Sequence, residues 1–422
     1  MKRCMYRLLL VPGLLWLAVL HSCSSNHSPE KKVPEPVIQA QQPLPAADFL
    51  KSAGKITDRI ACSIRPELSY CLYLPSNYSS GNFFPVIFIF DAHGDGKLPV
   101  AKYLPLAEEF KFVLVGSNSS RNGLAYDELV SIAHTTIQDV SDKITIDPKR
   151  IYTMGFSGGA RVAGAVAVSE NNIAGIIGCG AAYMDERLKS KPGLLCFGFA
   201  GLDDFNLLEM TDMHAFYEAH GVKNYFQVFK GKHEWPDTLT MRNALEMLTV
   251  PAPEKKQALE KKIAAAGVTP QMAKEFTEER EAQKKYMYAF NAPDIFWWKN
   301  EISNLQQCAG AKQHRCKRLL AYIGVAVYSY STNAVKNHND AIAESLLQVY
   351  RMADPQNNEE RFLEAILRAR QGNNLQAFAL LNEALNLGFN DFSRIDNEPD
   401  FDKLKSMNEY RQLMSHIKNV KS

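Results

Sequence analysis

The chain has 422 residues, 46% of them apolar and 22% charged, with a net charge of +2. These are ordinary globular proportions, and the near balance of charge gives no case for a nucleic-acid partner or a polybasic membrane patch. The eight cysteines and ten histidines form no CxxC and no His/Cys cluster at metal-ligand spacing, so no metal and no cofactor is expected.

The chain opens with a basic Met1-Lys2-Arg3. Apolar runs at 8–11 and 14–20 follow, broken by Pro12-Gly13. The stretch is too short and too interrupted for a membrane span and reads as an export signal. It ends in Leu20-His21-Ser22-Cys23, which resembles a bacterial lipoprotein signal. That resemblance implies removal of residues 1–22, lipid on Cys23, and a protein tethered to the periplasmic face or the cell surface of a bacterium. An ordinary secretory signal with an incidental cysteine is the alternative. Residues 23–48 are rich in Ser, Gln and Pro, with too little apolar surface to fold, and suit a flexible tether. Roughly 400 residues remain, enough for two domains with their own cores. Six cysteines remain, and an even number in an exported chain permits disulfides. Cys62 and Cys71 flank a turn at Pro66-Glu67 and are the first pair to expect. Cys308 and Cys316 come second, and buried free thiols are the alternative for each pair.

Residues 49–250 read as the first domain. Alternation over 56–74 suggests an opening antiparallel hairpin. The continuous apolar run 84–90 suits a strand buried on both faces. Helical spacing over 98–110 leads to a second such strand, 112–116, which runs into the polar loop 117–123. Leu129, Ile132, Ala133, Ile137 and Val140 mark one face of a helix. Further strands are expected at 173–179, 194–200 and 225–229, with helices between the last two and after them. Strands alternating with helices predict an α/β fold with a mostly parallel sheet. In such sheets functional groups gather at the carboxyl ends of the strands.

Four strand ends carry chemistry-bearing residues. The β-type run at 151–156 meets Gly155-Phe156-Ser157-Gly158-Gly159 and then a small-residue helix. Strand, sharp turn and helix around G-x-S-x-G is the setting of a nucleophile elbow. Ser157 would sit exposed on the turn, and the N–H of Gly158 would form half of an oxyanion hole. His93-Gly94-Asp95-Gly96 follows the 84–90 strand, where the other half would be built. Asp95 is the preferred backbone donor there and Gly94 the next. Asp203 and Asp204 follow the 194–200 strand, and spacing from Gly201 favours Asp204, with Asp203 the alternative acid. A glycine-flanked His233 follows the last strand, and Pro236 stands where a helix would start.

Ser157, Asp204 and His233 occur in the chain order of the hydrolase triad. Gly-Phe-Ser-Gly-Gly-Ala-Arg at 155–161 and Gly-Lys-His-Glu-Trp-Pro at 231–236 resemble the α/β-hydrolase superfamily over residues of about 60–250. The nearest branch holds dienelactone hydrolases, feruloyl-type esterases and polyhydroxybutyrate depolymerases. The resemblance implies a serine hydrolase of carboxylic esters, small or polymeric, working without metal or cofactor. Serine peptidases of the same superfamily use the same triad. No long apolar cap insertion is present, so the substrate class stays open.

Pro251-Ala252-Pro253 opens a second domain, 251–422, in which β signals give way to charged helical patterns. Stretches 254–265, 270–291 and 292–330 read as mainly helical. Helices at 337–353, 355–371 and 374–387 are punctuated by Asp354-Pro355, Gly372-Asn373 and Leu387-Gly388. These helix pairs resemble tetratricopeptide repeats, which implies a concave surface able to hold a protein partner. A plain helical bundle is the alternative. The whole reads as an exported, lipid-anchored serine esterase. A serine peptidase is the second reading, and a non-catalytic surface-binding protein with a decayed hydrolase fold the third.

Overall fold

The computed structural model describes residues 51–249 and 251–421, with side chains through 415. The signal segment, Cys23 and the whole tether lie outside the described residues. Phe84–Phe90 is buried at every position, as a strand covered on both faces must be. It is the third strand of an eight-stranded sheet: β1 Ile56–Ala61, β2 Ser69–Tyr73, β3 Phe84–Phe90, β4 Val113–Ser117, β5 Ile146–Phe156, β6 Ile173–Cys179, β7 Leu195–Gly201 and β8 Asn224–Phe229. The spatial order is β1-β2-β4-β3-β5-β6-β7-β8. β1 and β2 pair antiparallel, as do β2 and β4, and every pairing from β4 to β8 is parallel. Helices α1 Lys97–Phe110, α2 Tyr126–Lys143, α3 Gly158–Ser169 and α4 Leu207–Ala219 connect the parallel strands, and α5 Thr238–Leu248 follows β8. This is the α/β-hydrolase fold.

Local chemistry sets the element ends. α2 buries Ile132, Ala133, Thr136, Ile137 and Val140, the one-face spacing of an amphipathic helix. α5 starts two residues after Pro236, because the Asp237 side chain accepts the Thr240 N–H and caps the helix there. The sequence had Pro236 itself at the helix start.

Cys62 and Cys71 are both free and buried, which corrects the first disulfide expectation. The hairpin register is the cause. Cys62 N–H bonds to Leu68 O, three residues from Cys71, so about 10 Å of strand separates Cys71 from the position opposite Cys62. The odd offset also turns residues 68 and 71 to opposite faces. The disulfide is Cys308–Cys316.

The first compact unit ends at Lys274 and the second begins at Glu275, which moves the expected boundary from 250. The helix Pro253–Ala265 belongs to the first unit, because Leu259 and Ile263 are buried in its core. The Ala266 carbonyl just beyond that helix accepts the Val228 N–H of β8.

The second unit contains the helices Ile295–Gln306, Gln313–Lys336, Asp340–Ala353, Asn358–Arg370 and Asn374–Asn386. Residues 292–330 form not one stretch but two helices, with the disulfide closing the break between them. Trp298, Phe290 and Tyr286 begin the core, which continues through Ile323, Leu346, Phe362 and Leu381. Gly372 and Gly388 follow helix ends with φ of 81° and 96°. This left-handed turn costs glycine little.

Candidate active site

Ser157 stands between β5 and α3 with φ 54° and ψ −123°. A side-chain-bearing residue in such a conformation stores about 1–3 kcal/mol, and the surroundings must enforce it. The flanking glycines explain how. A Cβ on Gly155 would lie 2.0 Å from Gly159 O, and one on Gly159 would lie 1.9 Å from Phe90 O. Only bare backbone lets strand and helix meet this closely. Thr153 Oγ1 donates to Ala163 O at 3.0 Å, and Ser157 N–H to Cys179 O at 2.9 Å, fixing the turn from both sides.

The structure brings Ser157, His233 and Asp204 together. His233 Nε2 is 3.0 Å from Ser157 Oγ, and His233 Nδ1 is 3.0 Å from Asp204 Oδ1. A carboxylate only accepts, so Nδ1 carries the proton and Nε2 is left as acceptor for the serine hydroxyl. The Asp204 side chain is fully buried and that of His233 is 22% exposed. Asp203 is half-buried, and its N–H bonds to Gly231 O. Asp204 Oδ1 also accepts the Asn206 N–H at 2.8 Å, while Oδ2 is buried without a hydrogen-bond partner.

Close contacts between loops hold this geometry. A Cβ on Gly201 would lie 2.3 Å from Lys232 O. Leu202 N–H donates to Phe229 O, so the acid loop and the histidine loop are tied by backbone. Gly180 has φ +66°, and a Cβ there would stand 3.2 Å from both Asp204 Oδ2 and His233 Cε1. Asn206 Nδ2 donates to the Gly180 carbonyl at 2.8 Å. The imidazole lies against Phe205 and Phe156, with ring centroids 4.3 and 4.7 Å away.

The turn after β3 is locked by Asp91. Its Oδ1 accepts the His93 N–H at 2.8 Å, and its Oδ2 accepts Trp235 Nε1–H at 3.0 Å. Burial pushes the Asp91 carboxyl up, but the hydrogen bonds from His93 and Trp235 outweigh it and hold the group below its usual value. The His93 imidazole also lies beside Asp91, its Nδ1 3.4 Å from Oδ1, and the carboxylate raises it. Gly94 N–H bonds to Asp91 O, and Gly96 N–H to Asn118 Oδ1. Of the four N–H groups at 93–96, that of Asp95 is the one with no partner among the described residues. Its side chain accepts the Leu98 N–H at the start of α1. Gly158 begins α3 directly after Ser157, where helix N–H groups have no intrahelical partner and favour negative charge.

The loop after β4 also reaches the elbow. Asn122 N–H donates to Ala92 O at 2.8 Å. A Cβ on Gly158 would lie 1.8 Å from Asn122 Oδ1. Sequence reasoning passed over Asn122, Asn206, Gly180, Phe205, Asp91 and Trp235. Trp235 sat inside the quoted histidine motif, Asp91 directly after the 84–90 strand, and Asn122-Gly123 is a turn signal in the loop after a strand. Nothing in the sequence distinguishes Asn206 or Gly180. Among the described residues no three His, Cys, Asp or Glu side chains converge as a metal-ligand set.

No protein-family model and no curated protein matches the chain. Among solved structures, a ferulic acid esterase is similar over 46% of this chain and 97% of its own, at 15% identity and a TM-score of 0.37. A fluorophosphonate-binding serine hydrolase of Staphylococcus aureus, FphF, covers the same shares at 12% identity and a TM-score of 0.37. An S-formylglutathione hydrolase of the same organism is similar over 46% of this chain and 95% of its own, at 13% identity and a TM-score of 0.35.

Proposed function

We propose that the chain is a serine hydrolase that cleaves a carboxylic ester through an acyl-enzyme. The observation that carries this reading is the unbroken chain from Ser157 Oγ through His233 to the buried Asp204. Ser157 Oγ attacks the ester carbonyl carbon, and its proton passes to His233 Nε2. The carbonyl π pair moves onto oxygen, and the new imidazolium is stabilised by Asp204. The intermediate collapses, the carbon–alkoxy bond breaks, and the leaving alkoxide takes the proton from His233. Water then repeats the sequence on the acyl-serine and releases the acid. The N–H groups of Gly158 and Asp95 hold the developing oxyanion, each such donor contributing about 3 kcal/mol. Backbone groups do this work, so exchange of the Asp95 side chain tests it poorly.

In the same reading, residues 1–22 are the export signal, Cys23 carries the lipid, and 23–48 are the tether. The helical unit, whose helix pairs resemble tetratricopeptide repeats, offers a surface for a protein partner. The test is hydrolysis of p-nitrophenyl butyrate. Ser157→Ala should lower kcat/KM by roughly 10⁴-fold or more with an unchanged melting temperature. A folded variant that keeps the wild-type rate would overturn the reading. Amide substrates cleaved as fast as esters would make it a peptidase.

A further inference from the structure

Asn122 carries a polar side chain at this site that no hydrogen bond among the described residues uses. Its side chain is exposed and makes no hydrogen bond within the described protein. Its backbone, by contrast, is fixed to the turn after β3. Asn122 N–H bonds to Ala92 O, and the neighbouring Arg121 forms a bridge with His93. A Cβ on Gly94 would lie 3.2 Å from Asn118 O and 3.6 Å from both Ser120 O and Arg121 Cβ, so the 118–122 loop packs along that turn. The side chain then reaches the other half of the site. Its Oδ1, Cγ and Nδ2 lie 1.8, 2.9 and 3.4 Å from where a Gly158 Cβ would be. Asn122 therefore spans the two segments whose N–H groups face a developing oxyanion. Glycine at 158 leaves its carboxamide room.

The geometry points to Asn122 as a side-chain donor to the oxyanion, a third hydrogen bond beside the two backbone groups. This rests on the serine-hydrolase reading above. Either end of the carboxamide reaches the space over Gly158, and an anionic oxygen there selects the N–H end, because only Nδ2 donates. A donor on a loop pinned by backbone bonds to the neighbouring turn, with no protein partner to give up and only water to exchange, is a pre-organised kind that strengthens as charge develops in the transition state. In the resting protein the amide has no such partner, and it gains one only as charge forms. Its contribution should therefore appear in kcat rather than in KM.

The test uses the full chain with p-nitrophenyl butyrate and an alkyl trifluoromethyl ketone, which adds Ser157 Oγ to form an anionic hemiketal. Asn122→Ala should lower kcat about 10²-fold to 10³-fold with KM within about threefold. The inhibition constant for the ketone should rise by a similar factor, and the melting temperature should not move. Asn122→Asp keeps the shape, removes the donor and places like charge at the oxyanion, so it should be at least as slow. A variant within about threefold of wild type in kcat/KM, or one whose loss lies in KM with the ketone unaffected, overturns the assignment. A wild-type protein without turnover and without a ketone adduct overturns the hydrolase reading, and this assignment with it. Normal wild-type turnover with a normal Asn122→Ala overturns the assignment alone.

Discussion

One buried carboxylate in each unit meets a different kind of partner. In the helical unit, Arg318 and Glu279 are both fully buried and face each other at 2.7 Å. Nearer the surface, the half-exposed Arg351 pairs with the buried Glu360 and with Glu364, and Arg370 with Asp340 and Asp400. Opposite charge lies beside each of these groups, and the pairs cross-brace neighbouring helices. In the first unit, the fully buried Asp204 faces an imidazole, and one of its oxygens has no hydrogen-bond partner among the described residues. The serine beside that imidazole is held at φ 54°. A satisfied buried pair fixes architecture, whereas a strained serine, an imidazole and an unpartnered carboxylate oxygen converging on one spot mark a place organised for something the protein does not itself contain.

The largest effects that would sharpen this contrast lie in the triad. Asp204→Asn should cut kcat by about 10⁴-fold, because the amide no longer holds the His233 tautomer. Asp203→Asn should stay within a few fold, and urea unfolding of both should show small changes beside that loss. Equal losses of activity in the two variants would break the assignment of Asp204. The helical unit should respond in reverse. Arg318→Met leaves Glu279 buried and unpaired, and should cost about 3–5 kcal/mol by denaturant unfolding. Ester turnover per folded molecule should be unchanged. Losing activity without stability at Arg318 would erase the distinction between the units.

A smaller effect belongs to Glu108 on α1. Its side chain is partly exposed and accepts hydrogen bonds from Tyr73, Ser76 and Lys111. Burial opposes ionisation, but these bonds prevail and hold its carboxyl at about 2 against an ordinary 4.5. A lowered folded pKa contributes stability that is present above pH 4.5 and lost as pH falls through about 2. Glu108→Gln should therefore be less stable than wild type at neutral pH. The difference should shrink as acid unfolding is followed from pH 4.5 downward.

Much of the site could be read in the sequence because each element announces itself locally. The apolar run of β3, the glycines around Ser157 and the order Ser157, Asp204, His233 need no knowledge of distant contacts. The choice between Asp203 and Asp204 did need it. They are adjacent and chemically identical, and only the turn after Gly201 decides which carboxyl enters the protein. The expected Cys62–Cys71 bridge failed for a similar reason, since register and not sequence separation determines which hairpin residues face each other. The limit of the first unit was misplaced because Pro251 and Pro253 read as a boundary. The helix after them is highly charged, and its two large apolar residues, Leu259 and Ile263, are the ones that dock it. Asn122 was silent because its meaning lies in what it stands beside, not in any pattern it belongs to.

The most direct measurement is mass-spectrometric mapping of a fluorophosphonate adduct on the full chain and on His233→Ala. The account predicts stoichiometric phosphonylation of Ser157 in the wild type and its loss in the folded His233 variant. A folded wild-type protein that takes no label at Ser157, or labels equally well without His233, would contradict the claim that this serine is an activated nucleophile.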